Sequence, residues 1–339
     1  PNDSLGFSMD AGVKIYGAWT RTLPQKSLAI YARGAYGLDE INYKIFPNLD
    51  IDKFESFVLR NSGNDWLNTM FRDGLMTGLV AGDGIDVAAF RPAAVYINGD
   101  YWGLYNIREK MQDRYVEDHY GVDHENIDML EFDGSVVVKG DNSHYNNMLN
   151  FIENHLMSDP ANYEYVKARM DIEDFITYEI AQIFFANTDW PGNNIRFWRP
   201  TTMEGKWKWM LYDTDFGFGL VGDYTHNTLD FATDPAGPGW PNPPWSTFLL
   251  RKLLANDEFR IDFINRYADL LNSSFLTNRM ITQINWKKAA ITSEMPNQFA
   301  RWGSNMADWL YYVQVLRTFA TERKIYARNH VIQHFDLTG

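Results

Sequence analysis

Short runs of alternating or continuous apolar residues occupy much of the first hundred positions of the chain. Runs of this kind, bounded by polar and glycine-containing segments, are typical of β-strands. Two of them flank Asn98-Gly99, and both residues of this pair tolerate the positive φ that a two-residue hairpin needs. The pattern predicts strands over Val13–Tyr16, Ser27–Ala32, Ile41–Phe46, Phe54–Arg60, Ala93–Ile97 and Tyr101–Ile107.

Helical spacing of the apolar positions begins at Leu67. It predicts a helix over 67–80, with Asn64 or Asp65 placed to cap its start. Beyond Glu109 helical spacing dominates, and Asp171 is placed to cap a helix over 172–184. Further helices are predicted over Leu249–Leu254, Phe259–Leu271, Met280–Ala290 and Ala307–Ile332, whereas Pro235–Pro244 contains too much Pro and Gly for regular structure.

This order of elements predicts an α+β fold with two lobes, which also suits a chain of 339 residues. Residues 1–108 would form a small strand-rich lobe with one helix, and residues 109–339 a larger helical lobe. The 12 Trp, 19 Tyr and 22 Phe residues favour a large aromatic core over a carbohydrate-binding cleft.

Composition narrows the functional classes. The chain has 44 acidic residues against 31 Lys and Arg, a formal net charge of −13, which disfavours nucleic acid and anionic membranes as partners. It contains no cysteine, so disulfides, thiolate metal sites and cysteine nucleophiles are excluded. No apolar run approaches the roughly 20 residues that span a bilayer, so we expect no membrane span. No targeting segment is visible, and the start at Pro1 suggests a trimmed fragment that flanking domains would extend.

Metalloprotease, serine-hydrolase and P-loop motifs are absent from the sequence. Gly217-Phe-Gly219-Leu-Val-Gly222 matches the dinucleotide-binding spacing. It follows an acidic pair and lies outside any βαβ pattern, so we do not interpret it as a cofactor loop.

One segment combines acidic and amide side chains at a spacing suited to phosphoryl transfer. It runs Asn187-Thr-Asp189-Trp-Pro-Gly-Asn-Asn194, then through predicted strands over 195–198 and 206–211 to Asp213-Thr-Asp215-Phe-Gly217. Protein kinases separate a catalytic Asp from a metal-binding Asn by the same interval, and a hairpin ending in Asp-Phe-Gly follows. Phosphoryl transfer needs a carboxylate to orient the acceptor hydroxyl and hard oxygen ligands to hold Mg²⁺ against the phosphates.

The segment departs from ordinary kinases in two respects. Asn187-Thr188 replaces the His-Arg pair, and Asp189 lies 24 residues before Asp213, a longer connection than usual. Each of these residues alone suits an ordinary turn, but their combination and order favour function.

The strand-rich region supplies candidate phosphate-binding groups. If Phe54–Arg60 is the third strand of a kinase small lobe, Arg60 replaces the usual Lys and neutralises phosphate through its planar fork. The helix over 67–80 then takes the αC position, with Asp73 or Arg72 facing the site. Asn106–Glu109 would be the hinge beside the adenine, and either Gly17–Lys26 or Arg33–Gly37 would replace the glycine-rich loop.

These motifs together resemble the spore coat protein H (CotH) kinase-like family. The resemblance rests on Lys26-Ser27, residues 96–105 with Glu109, the segments 187–194 and 212–217, and Leu253–Arg260. It implies an atypical, secreted or spore-associated protein kinase that uses ATP and a divalent metal to phosphorylate Ser in proteins. Some members are domains of large exported bacterial proteins, so a cell-surface location is equally open.

The resemblance implies roles for individual residues. Asp189 would be catalytic, and Asn194 with Asp213 or Asp215 would hold Mg²⁺ or Mn²⁺. Lys26, Arg60, Glu109 and Asn194 would bind the nucleotide. The Pro235–Pro244 loop lies where kinases keep their substrate segments, so Trp240 and Trp245 are candidate contacts of the acceptor, although surface packing explains them as well.

Three functions remain open at this point. The first is a kinase whose partner is a protein with an acceptor Ser or Thr. The second is a pseudokinase or binding module that kept the fold. The third is a carbohydrate-active protein, since two carboxylates such as Asp189 and Asp213 would also serve a glycosidase.

Overall fold

Two five-stranded sheets, a two-stranded sheet and eleven α-helices make up residues 5–338, the part of the chain that this computed structural model describes. The fold is α+β, strand-rich in the N-terminal region and mostly helical in the C-terminal region, which confirms the predicted class and its two-lobed form. Residues 1–4 and 339, which the predicted lobe boundaries include, lie outside the described part.

The N-terminal region contributes most of the strands. Its elements are β1 (Gly12–Tyr16), β2 (Ser27–Tyr31), β3 (Ile41–Asn42), β4 (Lys53–Phe54), β5 (Ser56–Arg60), α1 (Arg72–Val80), β6 (Asp86–Val87), β7 (Phe90–Ile97) and β8 (Asp100–Glu109). The first sheet is antiparallel with the order β1-β2-β5-β8-β7. The predicted hairpin turn is present, with φ of +52° at Asn98 and +87° at Gly99.

The C-terminal region contains ten helices and four strands. They are α2 (Asp113–Tyr120), β9 (Ile127–Glu131), β10 (Val136–Lys139), α3 (Ser143–Asn154), α4 (Pro160–Lys167), α5 (Ile172–Phe184), β11 (Arg196–Pro200), β12 (Lys208–Leu211), α6 (Thr228–Thr233), α7 (Phe248–Leu253), α8 (Asp257–Leu271), α9 (Thr277–Ile291), α10 (Met295–Trp302) and α11 (Met306–His334).

The second sheet, with the order β10-β9-β11-β12-β6, was not predicted as a unit. The sequence analysis expected β11 and β12 but treated the region beyond Glu109 as otherwise helical, and so missed β9 and β10. The last strand of this sheet is β6, which comes from the N-terminal region and pairs in parallel with β12 through Met210 and Asp86. The two regions are therefore joined by strand pairing as well as by chain connections.

The first helix begins later than predicted. Leu67 and Met70 have a positive φ, +63° and +67°, so residues 67–71 are not helical and α1 starts at Arg72. The Asp65 carboxylate nevertheless satisfies the helix start, because it accepts hydrogen bonds from the backbone N–H of Phe71 at 3.2 Å and of Arg72 at 3.0 Å. The strand predicted over Ile41–Phe46 is also short and reduces to β3.

The core is aromatic, as the composition indicates, and Trp190, Trp198, Trp207 and Trp309 are fully buried. At its centre lies α5, capped as predicted by Asp171, whose Oδ1 accepts a hydrogen bond from the N–H of Asp174. Arg323 of α11 closes the other end of α5 by donating to the carbonyl oxygens of Ile183 and Phe184, at 2.7 and 2.8 Å. Within the described residues, no helix has the length and apolar character needed to cross a bilayer.

Candidate active site

Asp189 lies in the loop after α5, and the asparagines of that loop hold its carboxylate. Asn193 Nδ2 donates to Asp189 Oδ1 at 2.9 Å, and Asn194 Nδ2 donates to Asp189 Oδ2 at 2.8 Å. The N–H of Asp189 donates to Asn187 Oδ1 at 3.1 Å. Burial raises the pKa of Asp189 above its ordinary value, and the charge of Asp213 acts in the same direction. The loop therefore presents an oriented carboxyl group with increased proton affinity.

Asn194 also connects this loop to the end of β12. Its Nδ2 lies 3.4 Å from the carbonyl oxygen of Asp213. Among the described residues, none donates a hydrogen bond to Asn194 Oδ1, so this oxygen remains available as a ligand. The structure thus brings Asp189, Asn194 and Asp213 together, while the chemical role of each stays a prediction.

Arg60, at the end of β5, lies between the two carboxylates that follow β12. Its Nη2 donates to Asp213 Oδ1 and, at 2.7 Å, to Asp215 Oδ2. Asn64 adds two further hydrogen bonds to Asp215, from its backbone N–H at 3.0 Å and from Nδ2 at 2.9 Å. Asp215 is fully enclosed, whereas the Asp213 side chain is 34% exposed. Asp213 is therefore the more accessible of the two candidate metal ligands.

The buried position of Asp215 has an electrostatic consequence. Burial and the neighbouring Asp213 carboxylate raise the pKa of Asp215 to about 7, although Arg60 opposes this. The sequence analysis considered Asn64 only as a helix cap, because nothing in the local pattern indicates that it faces a residue 151 positions away.

Asp73 of α1 faces the same cluster. Its Oδ2 lies 2.9 Å from Arg108 Nη2 and 4.0 Å from Arg60 Nη1, and its Oδ1 accepts two hydrogen bonds of 3.0 Å from the N–H and Oγ1 of Thr214. Although burial opposes ionisation, Arg108 and Arg60 lower the pKa of Asp73 to about 2. Of the two residues proposed to face the site, Asp73 is therefore the one that does.

Arg72, the other residue proposed for this position, has a structural role. Its side chain is fully buried, with Nε 3.1 Å from Asp65 Oδ1 and Nη1 donating to the carbonyl oxygen of Phe218 at 2.6 Å. The sequence analysis missed Arg108, the partner of Asp73 on β8. Its position in a strand with apolar neighbours offers no local signal for a buried ion pair.

A narrow cleft leads from the first sheet to this cluster. It is lined by Tyr16, Val58, Arg60, Asp73, Ala88, Arg108, Glu109, Met111, Arg196, Tyr212 and Asp213. Residues 106–109, predicted as the hinge, are the last residues of β8, so the connection between the regions begins at Lys110. Glu109 lines the cleft, but its carboxylate is engaged, accepting from the N–H of Ala89 at 2.8 Å and lying 2.7 Å from His119 Nε2.

Lys26 is not brought to the cluster. It lies at the end of the connection between β1 and β2, which is where kinases have their glycine-rich loop, so of the two segments considered 17–26 holds that place. Its Nζ donates to the carbonyl oxygen of Arg21 at 2.5 Å, and Lys26 is not among the residues lining the cleft. A phosphate contact by Lys26 would need this loop to rearrange.

The cluster carries more negative than positive charge. It contains two guanidinium groups and four carboxyl groups, those of Arg60, Arg108, Asp73, Asp189, Asp213 and Asp215. When all are ionised, the excess of two negative charges equals the charge of one divalent cation. Because carboxylate and amide oxygens are the ligands that Mg²⁺ and similar hard cations prefer, the donor set fits such an ion.

A family model described as CotH kinase protein matches residues 13–327 of the chain. The matched range extends from β1 into α11 and includes every residue of the cluster. No curated protein matches the chain.

Proposed function

The chain belongs to the CotH kinase family, and we propose that it is an enzyme that transfers the γ-phosphoryl group of ATP to a Ser or Thr hydroxyl of a protein. The resemblance noted from the motifs is confirmed, and the family indicates a kinase-like protein. The observation that carries the finer proposal is the convergence of Asp189, Asn194, Asp213 and Asp215 opposite Arg60.

Asp189 would orient the acceptor hydroxyl and accept its proton. Its carboxylate is held by two amide donors, which fixes its direction. Its raised pKa brings its proton affinity closer to that needed for general-base catalysis near neutral pH. An oriented carboxylate next to the metal ligands is the arrangement that phosphoryl transfer requires, because positioning and charge provide most of the catalysis.

Asn194 and Asp213 would hold Mg²⁺ or Mn²⁺, with Asp215 as the alternative to Asp213. Of the candidate ligand oxygens, Asn194 Oδ1 accepts no hydrogen bond from a described residue. The partly exposed Asp213 carboxylate is bonded only by Arg60. An ion bound there supplies positive charge to the phosphate oxygens. Asp215 would stay fixed by Asn64 and Arg60 and set the geometry of its neighbour.

Arg60 would neutralise the phosphates from the other side of the cleft. Asp73 and Arg108 act as positioning residues, since Asp73 contacts both arginines and holds Thr214 between the two candidate metal ligands. The proposal also includes a lobe boundary at 108/109 and a secreted or cell-surface location. It further includes an adenine contact by Glu109 and a phosphate contact by Lys26.

A catalytically silent binding module is the second candidate, and one observation favours it. Arg60 already contacts both Asp213 and Asp215, and thus occupies the space between them in which a metal ion would need to approach. A module of this kind would bind nucleotide without turnover.

The test is phosphate transfer from ATP in the presence of Mn²⁺ or Mg²⁺, followed by mass spectrometry of the modified protein. We expect Asp189→Asn to abolish autophosphorylation with little change in Tm, and the matched control Asp52→Asn, at an exposed position, to remain active. Full transfer by a stable Asp189→Asn variant would refute the catalytic assignment. Nucleotide-dependent stabilisation without transfer in the wild type would favour the binding module.

A further inference from the structure

A pocket of about 710 Å³ lies on the far side of the Asp189 loop and shares no lining residue with the cleft. Its walls come from α3, α5, α7, the second sheet and the segment after Asp189. Trp190 and Pro191, the residues directly after Asp189, form part of the wall. The pocket is thus separate from the proposed phosphoryl-transfer site but touches its loop.

The wall of the pocket is mainly aromatic. Rings that line it pack against one another, with centroid distances of 4.5 Å for Tyr145–Phe197, 4.6 Å for Phe175–Trp209 and 5.4 Å for Phe197–Trp209. Tyr178 and Trp190 meet edge to face at 6.5 Å. Because these buried rings support each other, the wall is preformed and apolar.

One carboxyl group lies in this aromatic wall. Glu179 of α5 is only 7% exposed and lines the pocket. Between residues 5 and 338, no side chain or backbone group donates a hydrogen bond to it, and it takes part in no salt bridge. Its oxygens are not among the fully enclosed unpaired atoms, so the carboxyl group opens to the pocket, and a ligand that displaces water there must supply its partner.

The other charged residues that line the pocket are Asp133, Glu153 and Arg251. Arg251 does not pair with Glu179, and its Nε donates to Thr247 Oγ1 at 3.0 Å. Three acidic groups against one basic group disfavour an anionic ligand. A bare metal ion would need several oxygen ligands close together, and Glu179 supplies the only buried carboxylate of this wall.

We propose that this pocket binds an organic ammonium group, with the Glu179 carboxylate as its counter-charge and the surrounding rings as its apolar enclosure. An alkylated ammonium is weakly hydrated and apolar in outline, so it suits an aromatic wall with one carboxylate. The same chemistry can come from a free alkylammonium ligand or from a methylated lysine side chain of a protein. The site goes beyond phosphoryl transfer, and its binding needs no ATP.

The protonation of Glu179 makes binding depend on pH. Burial alone raises its pKa well above the ordinary value, since no neighbouring charge offsets it. The tyrosines nearest to it, Tyr145 and Tyr178, have raised pKa values because they are buried, and therefore stay neutral. Binding of a permanently charged ammonium must release the proton of Glu179, so its affinity should rise with pH while that of a neutral ligand should not.

The test is isothermal titration calorimetry of the whole chain with choline and with its neutral isostere 3,3-dimethylbutan-1-ol. We expect choline to bind at least tenfold more tightly than the isostere, with an affinity that increases up to tenfold per pH unit. The conservative variant Glu179→Gln should lose that preference and the pH dependence, and the matched control Glu173→Gln, on the same helix but outside the pocket, should keep both.

Two further arms separate the sources of the ammonium. A peptide with an internal trimethyllysine that binds more tightly than choline would identify the ligand as part of a protein, and the reverse order would identify a free small molecule. The proposal is overturned if neither binds, if the neutral isostere binds equally well, or if a folded Glu179→Gln variant binds choline like the wild type. None of these outcomes depends on phosphate transfer, so the site and the proposed kinase activity fail or succeed separately.

Discussion

Replacing Asp73 by Asn would remove the carboxylate that neutralises two buried arginines. Its pKa of about 2, against an ordinary 3.8, corresponds at roughly 1.4 kcal/mol for each factor of ten in proton affinity to about 2–3 kcal/mol of stabilisation. Breaking a buried ion pair by removing one partner costs about 3–5 kcal/mol. We therefore expect Asp73→Asn to lower the free energy of unfolding by about 2–5 kcal/mol at neutral pH.

The direction of the Asp73 pKa shift determines how its contribution to stability depends on pH. The folded-state pKa of Asp73 is lower than the unfolded value, so its contribution is present above pH 4 and is lost as the pH falls through 2. Urea unfolding followed by tryptophan fluorescence should show that the difference between wild type and variant shrinks across this window.

The control is a matched substitution of an aspartate whose pKa is shifted in the opposite direction to that of Asp73. The pKa of Asp118, an exposed residue near Glu109 and Glu117, is raised rather than lowered, so Asp118→Asn should not destabilise the protein at neutral pH. If Asp73→Asn and Asp118→Asn unfold at the same urea concentration, or if the loss in Asp73→Asn is independent of pH, the assignment of Asp73 as counter-charge to Arg60 and Arg108 is wrong.

Three further predictions concern the cluster and its surroundings. Gly63 has a φ of +65°, and a Cβ there would overlap Asp215 Oδ2 and Arg60 Nη2, so Gly63→Ala should abolish stabilisation by ATP with Mn²⁺ in a thermal shift assay. Ion binding requires ionised carboxylates, and the pKa of Asp215 is about 7. The apparent affinity of the wild type for Mn²⁺ should therefore fall up to tenfold per pH unit below 7, and that of Asp215→Asn should fall less steeply. Equal slopes for the two proteins would exclude Asp215 as the titrating group. Lys287 of α9 lies with its Nζ 4.2 Å from the centre of the Phe90 ring, and burial and the charge of Arg108 lower its pKa to about 8. A ¹³C NMR titration of the reductively methylated protein would detect this, and a pKa near that of a free lysine would contradict the burial of Lys287 beside Arg108.

The proximities that the sequence predicted well are local ones, while the roles of the residues stay predictions. Asp189 and Asn194 share one loop, and their five-residue interval alone brings the amide of one to the carboxylate of the other. Asp213 follows from the hairpin of β11 and β12, whose alternating pattern is visible in the sequence. Arg60 was found because its position at the end of a strand has a counterpart in a known fold.

The residues that the sequence did not predict depend on distant contacts. Asn64 and Arg108 acquire their roles from partners on other elements. Glu179 lies in a helix that is buried on most sides and also encloses Asp174, Thr177 and Gln182, and only the packed structure shows that the Glu179 carboxyl group has no partner. The strand β9 was missed because Asp128, buried in an ion pair with Arg199, interrupts its apolar pattern. The strand β10 has only four residues, and its valines are exposed, so it gives no signal of a buried face.

The pairing of β6 with β12 limits how the cleft can open. Since β6 ends at Val87 in the second sheet and β7 starts at Phe90 in the first, the chain passes between the lobes at Ala88 and Ala89, and passes back after Glu109. The hydrogen bond from Ala89 to Glu109 ties these two crossings side by side. Away from these crossings α10 also holds the first sheet, since Gln298 Oε1 accepts from the N–H of Leu104 and Trp302 Nε1 donates to the carbonyl oxygen of Trp102, each at 2.7 Å. The lobes are therefore tethered at separate points, and hinge opening of the cleft should be small.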